Sequence, residues 1–157
     1  MKRESKGTKY KQRTISVWNE VAPFYHKRWA KNEVGPFNVT KKLLELSKIK
    51  KSDTVLDLAC GTGLVTKKLI RKVGKDGQVF AIDSSESAIK IAKKWTGDVK
   101  NLHFIRADAE KVQFGTKFDA ITCQYALFFF PNEQKVLKNM KKMLKKNGTI
   151  TLAVHGK

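Results

Sequence analysis

VLDLACGTGLVT, residues 55–66, sets the frame for the whole chain. Four of its first five residues are apolar, as in a strand buried on both faces. Asp57 interrupts that strand with a carboxylate. Gly61 and Gly63 then stand one residue apart, and GLVTKKLIRKV (63–73) turns Leu64, Leu69, Ile70 and Val73 to one side of a helix. A strand, a glycine turn and a helix in that order form the first half of a βαβ unit.

The same alternation continues downstream. GKDGQ (74–78) is a turn, VFAID (79–83) a strand, and SESAIKIAKKW (85–95) a helix capped by Ser84 or Ser85. NLHFIRADA (101–109) and FDAITCQ (118–124) read as strands. NEQKVLKNMKKML (132–144) is a helix, KKNG (145–148) a turn, and TITLAV (149–154) a last strand. Strands alternating with helices predict parallel pairing and right-handed crossovers, hence an α/β doubly wound parallel sheet. Upstream, TISVWNEVAPFYHKRWAKNEVG (14–35) places Ile15, Val17, Trp18, Val21, Phe24, Tyr25 and Trp29 at helical spacing, with breaks expected at Pro23 and at Gly35-Pro36. PFNVTKKLLELSKI (36–49) is a second amphipathic helix opened by Pro36. The expected organisation is a mobile basic arm (1–13), an N-terminal helical cap (14–50) and an α/β domain (51–157).

At 157 residues the chain is long enough for one domain with a real core. MKRESKGTKYKQR (1–13) has no apolar run behind it to act as a signal peptide, and YALFFF (125–130) is far too short to cross a bilayer. Two cysteines, Cys60 and Cys123, make no disulfide framework and read as small buried fillers, so a reducing, cytoplasmic setting is expected. His26, His103 and His155 have no metal-ligand spacing. The net charge of +19 attracts polyanions, which makes weak, nonspecific binding of nucleic acid or an anionic surface an expectation. Only five of the cations are arginines, and scattered lysine does not read base edges.

Ligands of doubly wound sheets bind beyond the carboxyl ends of the strands. The loop after the first strand is therefore the default site. A triphosphate loop needs G-x-x-x-x-G-K-[ST], and that spacing is absent. A dinucleotide loop needs a third glycine where Thr66 stands, and Asp57 is unhelpful beside a pyrophosphate. A phosphate-free adenosine derivative with positive charge, such as S-adenosylmethionine, suits Asp57 better. Asp83, twenty residues past Gly63, suits ribose hydroxyls, a spacing that NAD sites share. Asp108 ends the third strand and Gln124 the fourth, so four strand ends offer polar side chains to one cleft.

With these blocks in order, the chain resembles the class I S-adenosylmethionine-dependent methyltransferases. The match runs through VLDLACGTG, AIDSSESAIKIAKK, FIRADAEKVQF, FDAITCQYALFFFPN and MLKKNGTITLAV, nearly all of residues 54–153. Within the class it looks most like the small-molecule branch that includes ubiquinone/menaquinone C-methyltransferases, whose aromatic helix VWNEVAPFYHKRW (17–29) is similar to. The resemblance implies a Rossmann-like methyltransferase core, S-adenosyl-L-methionine as cofactor and a small-molecule methyl acceptor. It implies that Asp57, Gly61, Thr62 and Gly63 hold the methionine end, Asp83 the ribose, and Asp108 with Ala109 the adenine, with Ala59 and Ser84 also binding the cofactor. Gln124 would lie near the amino acid moiety or the methyl, and Tyr25 near the cofactor.

Departures accompany the match. Ala88 stands where many relatives carry a larger hydrophobic residue, His26 where the branch commonly has aspartate, and LKKNG where a proline-glycine turn is familiar. The family sheet has seven strands; two are missing here, which reads as a fragment or truncated product with TITLAV left as an exposed edge prone to self-association. No general base is evident, and His26 is a weak catalytic candidate. Trp18, Phe24 and Trp29 are expected to pack the helix; residues 128–130 either face an apolar substrate or plug the core. Two alternatives stand beside small-molecule methylation: an RNA methyltransferase drawing on the basic surface, and a non-catalytic cofactor-binding or partner module.

Overall fold

The computed structural model describes residues 6–156. Its centre is a five-stranded, wholly parallel sheet in the order β3-β2-β1-β4-β5. The strands are β1 (Thr54–Leu58), β2 (Gln78–Asp83), β3 (Leu102–Arg106), β4 (Phe118–Gln124) and β5 (Leu144–Ala153). Helices α1 (Lys6–Tyr25) and α2 (Thr40–Leu46) precede the sheet; α3 (Leu64–Val73), α4 (Glu86–Thr96) and α5 (Glu133–Met143) connect it. The topological reversal lies between β1 and β4, so their carboxyl ends open a crevice.

Period-two alternation splits the core between the two faces of the sheet. Val55, Val79 and Ala120 pack with Leu43 of α2 and Val65, Leu69 and Val73 of α3. Leu56, Leu58, Ile82, Phe118 and Ile121 pack with Val136, Met140 and Met143 of α5. Asp57 shares the Val55 face, which explains how a strand this buried carries a carboxylate: it points at α3.

Several elements differ from the sequence reading. Residues 6–13, expected as a mobile arm, form the first turns of α1, and Lys11 is ion-paired to Asp108 and Glu110; residues 1–5 of that arm lie outside the described residues. Pro23 does not break α1. It sits in the last turn, where its missing N–H costs a single hydrogen bond, and the chain continues as a wider π turn over His26–Ala30. Gly35–Phe37 is a separate 3-10 turn, so α2 starts later than Pro36. Ser85, not Ser84, caps α4, its Oγ accepting from Ala88 N at 3.1 Å.

The KKNG turn appears as an irregularity inside β5. The register steps from Phe118↔Leu144 to Ala120↔Thr149, leaving residues 145–148 to loop out. A side chain on Gly148 would meet Phe118 O at 2.9 Å. Among the described residues β5 pairs only with β4 and forms one margin of the sheet.

The helical stripe expected on α1 is two stripes. Ile15, Trp18 and Tyr25 turn inward, whereas Val17, Val21 and Phe24 are exposed. The apolar residues fall at too many angles for one face, so Phe24 is not the packing residue expected.

Candidate functional site

A hollow lies at the carboxyl ends of the strands, roofed by α1. Every residue expected to bind cofactor lines it: Tyr25, Asp57, Ala59, Gly61, Thr62, Gly63, Asp83, Ser84, Asp108, Ala109 and Gln124.

Asp57 anchors its floor. The carboxylate accepts from Thr66 Oγ1 of α3 at 2.6 Å and from Thr122 Oγ1 of β4 at 3.1 Å. It is 1% exposed. Burial pushes its pKa up to about 6; the two hydroxyls oppose the rise and the Asp83 charge adds to it.

The turn that follows is built on left-handed backbone. Ala59, Gly61 and Gly63 have φ of 59°, 54° and 92°. The two glycines serve different ends. A Cβ on Gly61 would meet nothing within 4 Å, so Gly61 leaves its backbone bare toward the hollow. A Cβ on Gly63 would lie 2.9 Å from Ala92 Cβ, so Gly63 lets α3 start close against α4.

Asp83 ties this turn to the next. Gly61 N donates to its Oδ2 and Ser85 N to its Oδ1, both at 2.8 Å. Burial raises its pKa, opposed by those amides and that of Ser84. Two backbone donors therefore fix the carboxylate while leaving it lone pairs for a ligand.

At the third strand end, Asp108 accepts from Glu110 N at 3.0 Å and is gripped by the Lys11 ammonium. Burial alone would raise its pKa; Lys11 and the Glu110 amide outweigh that and hold it below the usual carboxylate range. Ala109 is fixed by Asn139 Nδ2, which donates to its carbonyl at 3.0 Å. Gln124 accepts from Thr40 Oγ1 at 3.1 Å and so links β4 to α2.

An aromatic wall closes the remaining side. Tyr25 meets Trp18, Trp29 and Phe37 edge-on at 5.2, 5.2 and 5.6 Å, and Trp18 meets Phe129 at 5.5 Å. Burial, with Tyr125 nearby, pushes the Tyr25 phenol up to about 12. Phe129 and Phe130 line the hollow, while Phe128 is turned outward. The Thr62 hydroxyl is buried and, among the described residues, has no hydrogen-bond partner.

His26 does not join this arrangement. It lines a separate hollow between the π turn and α4, edge-on to Trp95 at 4.7 Å, and burial with Lys31 and Lys67 lowers its pKa. His26 directly follows Tyr25 at the start of the π turn, and that single step of about 100° aims it away from the hollow. Burial raises both cysteine thiols, Cys123 to about 12, so neither is a thiolate nucleophile. The sequence reading missed Lys11, Thr14 and Ile15, which also line the hollow. Nothing in the local sequence pairs Lys11 with an acid 97 residues away.

Comparison with known proteins agrees with this fold. A family model described as a methyltransferase domain matches residues 49–156. The ubiquinone/menaquinone biosynthesis C-methyltransferase UbiE of Pseudomonas fluorescens (strain Pf0-1) is 37% identical over 111 residues, 68% of this chain and 43% of that protein. A demethylmenaquinone methyltransferase of Staphylococcus saprophyticus is 31% identical over 134 residues, 84% of this chain and 53% of its own length. The chain thus spans about half the length of these curated relatives. Among solved structures, a DhpI–SAH complex superposes with a TM-score of 0.75 at 20% identity, covering 95% of this chain and 70% of that one.

Proposed function

The chain belongs to the methyltransferase domain family, and we propose that it transfers a methyl group from S-adenosyl-L-methionine to an apolar, quinone-like small molecule. One observation carries the reading: three carboxylates from adjacent strand ends, Asp57, Asp83 and Asp108, line one hollow with a bare-backboned glycine turn. When bound, S-adenosyl-L-methionine supplies an activated methyl on a sulfonium, open to in-line displacement.

The chain's own residues orient and shield. Asp57, with Gly61, Thr62 and Gly63, faces the cationic methionine end; the unpartnered Thr62 hydroxyl supplies a hydrogen bond there. Asp83, preset by two amides, and Ser84 receive the ribose hydroxyls. Asp108 and Ala109 flank the adenine. Tyr25 and Gln124 border the methyl. Trp18, Phe37 and Phe129 form an aromatic rim that excludes water and favours an apolar ring as acceptor. The phenol of Tyr25 stays protonated at neutral pH, so it positions rather than accepts a proton.

The buried, high-pKa cysteines suit a reducing, cytoplasmic setting. Among the described residues no helix is long and apolar enough to cross a membrane. Among the described residues β5 is the margin strand of the sheet, and self-association through it belongs to this proposal. The test is incubation with methyl-labelled S-adenosyl-L-methionine and a 2-alkyl-naphthoquinol. Label should enter the organic phase and be lost in Asp83→Ala. Label passing only to RNA would overturn the assignment.

A further inference from the structure

Helix α1 carries two apolar stripes, about a quarter turn apart around its axis. Its inner side, Ile15, Trp18 and Tyr25, roofs the hollow. Its outer side exposes Tyr10 (47%), Val17 (47%), Val21 (38%) and Phe24 (61%). Steps of seven, four and three residues put these four on one stripe. A surface helix is ordinarily polar there, so this stripe has a second use.

Cations flank the stripe. Lys9, Arg13, Lys27 and Arg28 are exposed, with Glu20 the one exposed acid among them, and Arg28 lies over the Phe24 ring at 5.8 Å. On another side of α1, beside Asn19 and Pro23, Lys27 and Lys31 share a hollow with Lys90, Lys94 and Glu86 of α4, where Glu86 pairs Lys90. Among the described residues no carboxylate is ion-paired to Lys27, Lys31 or Lys94. An apolar stripe beside unpaired lysines is the pattern of a helix lying in a membrane interface, with its aliphatic groups at the acyl boundary and its cations at the headgroups.

We propose that the outer face of α1 docks the protein on an anionic lipid bilayer. Two other occupants fit less well. A second copy seated on the same face would bring identical cations together in a chain of net charge +19. A nucleic acid would use the lysines but leave Val17 and Val21 exposed to water, because valine offers bases neither a stacking plane nor a hydrogen bond. The inference goes beyond methyl transfer and does not require it. It adds that one helix presents one stripe to the bilayer and the other to the hollow, which suits an acceptor that partitions into lipid.

The test is co-sedimentation of the full chain with vesicles of phosphatidylcholine alone and of phosphatidylcholine mixed with phosphatidylglycerol. Binding is expected only to the anionic vesicles. The double variant Val17→Asp/Phe24→Asp should weaken it about tenfold, while circular dichroism and S-adenosylhomocysteine binding stay as in the parent. Lys27→Glu/Lys31→Glu should weaken it through the headgroup term and steepen no other property. Vesicle binding that ignores the stripe variant would overturn the proposal, since it would then rest on bulk charge alone. So would tighter binding to single-stranded RNA than to vesicles, or a dimer that the stripe variant abolishes while vesicles remain unbound.

Discussion

The ammonium of Lys11 lies 3.0 and 2.8 Å from the two carboxylate oxygens of Asp108, joining the first helix to the end of the third strand across 97 residues of chain. Glu110 adds a second contact at 3.1 Å. The acid proposed to flank the adenine is therefore already charge-paired, and α1 is fastened over that end of the hollow. The pair is about a quarter exposed, so its net worth is small, about 1 kcal/mol or less. Its effect is local: Lys11→Met should speed amide hydrogen exchange in the first turns of α1 and leave the sheet unchanged. Exchange that is the same in both proteins would show that other contacts hold the helix.

The raised pKa of Asp57 has two pH consequences. Its folded value of about 6 exceeds the ordinary 3.8, so the fold binds a proton that the unfolded chain has released between those values. Stability from this group is full below pH ~4 and falls as pH rises to ~6, by roughly 3 kcal/mol at most. Asp83, shifted the same way, adds to that slope, whereas Asp108 acts in reverse and loses its contribution on acidification. Asp57→Asn should flatten the fall in urea-unfolding series between pH 4 and 6. A cationic ligand favours the ionised carboxylate, so S-adenosylmethionine affinity should tighten from pH 5 to 7 and then level off. An affinity that is flat across that range would separate Asp57 from the sulfonium end.

The two glycines should respond differently. Gly61→Ala places a methyl in open space and costs only the left-handed strain, ~1–2 kcal/mol. Gly63→Ala adds a clash with Ala92 and should cost about 1–3 kcal/mol more. Ala92→Gly should recover part of that excess in the double variant, measured as a thermodynamic cycle. Additive losses would mean that the α3–α4 approach is not what requires Gly63.

Thr62→Val removes a buried hydroxyl that no group among the described residues satisfies. Stability of the ligand-free protein should hold or rise slightly, while S-adenosylhomocysteine binding weakens by about 1 kcal/mol, roughly fivefold. Equal losses in both would assign the hydroxyl to structure instead.

The sheet was legible because each strand and helix carries its own period, and because Asp57, Asp83, Asp108 and Gln124 stand at strand ends that a parallel sheet must bring to one rim. What could not be read depends on distant contacts. Lys11 is one of many lysines until Asp108 is placed beside it. Gly63 looks like Gly61 until Ala92 appears 2.9 Å from its missing side chain. The break expected at Pro23 failed because proline in a last turn forgoes little, and the wider π turn that follows rotates His26 away from the hollow.

Calorimetric titration with S-adenosylmethionine, S-adenosylhomocysteine and NAD in parallel tests the central claim most directly. The account predicts that the two sulfur ligands bind at one site, that NAD does not, and that Asp83→Ala abolishes both signals while the protein stays folded. Binding of NAD in their place, or sulfur-ligand binding that survives Asp83→Ala unchanged, would contradict it.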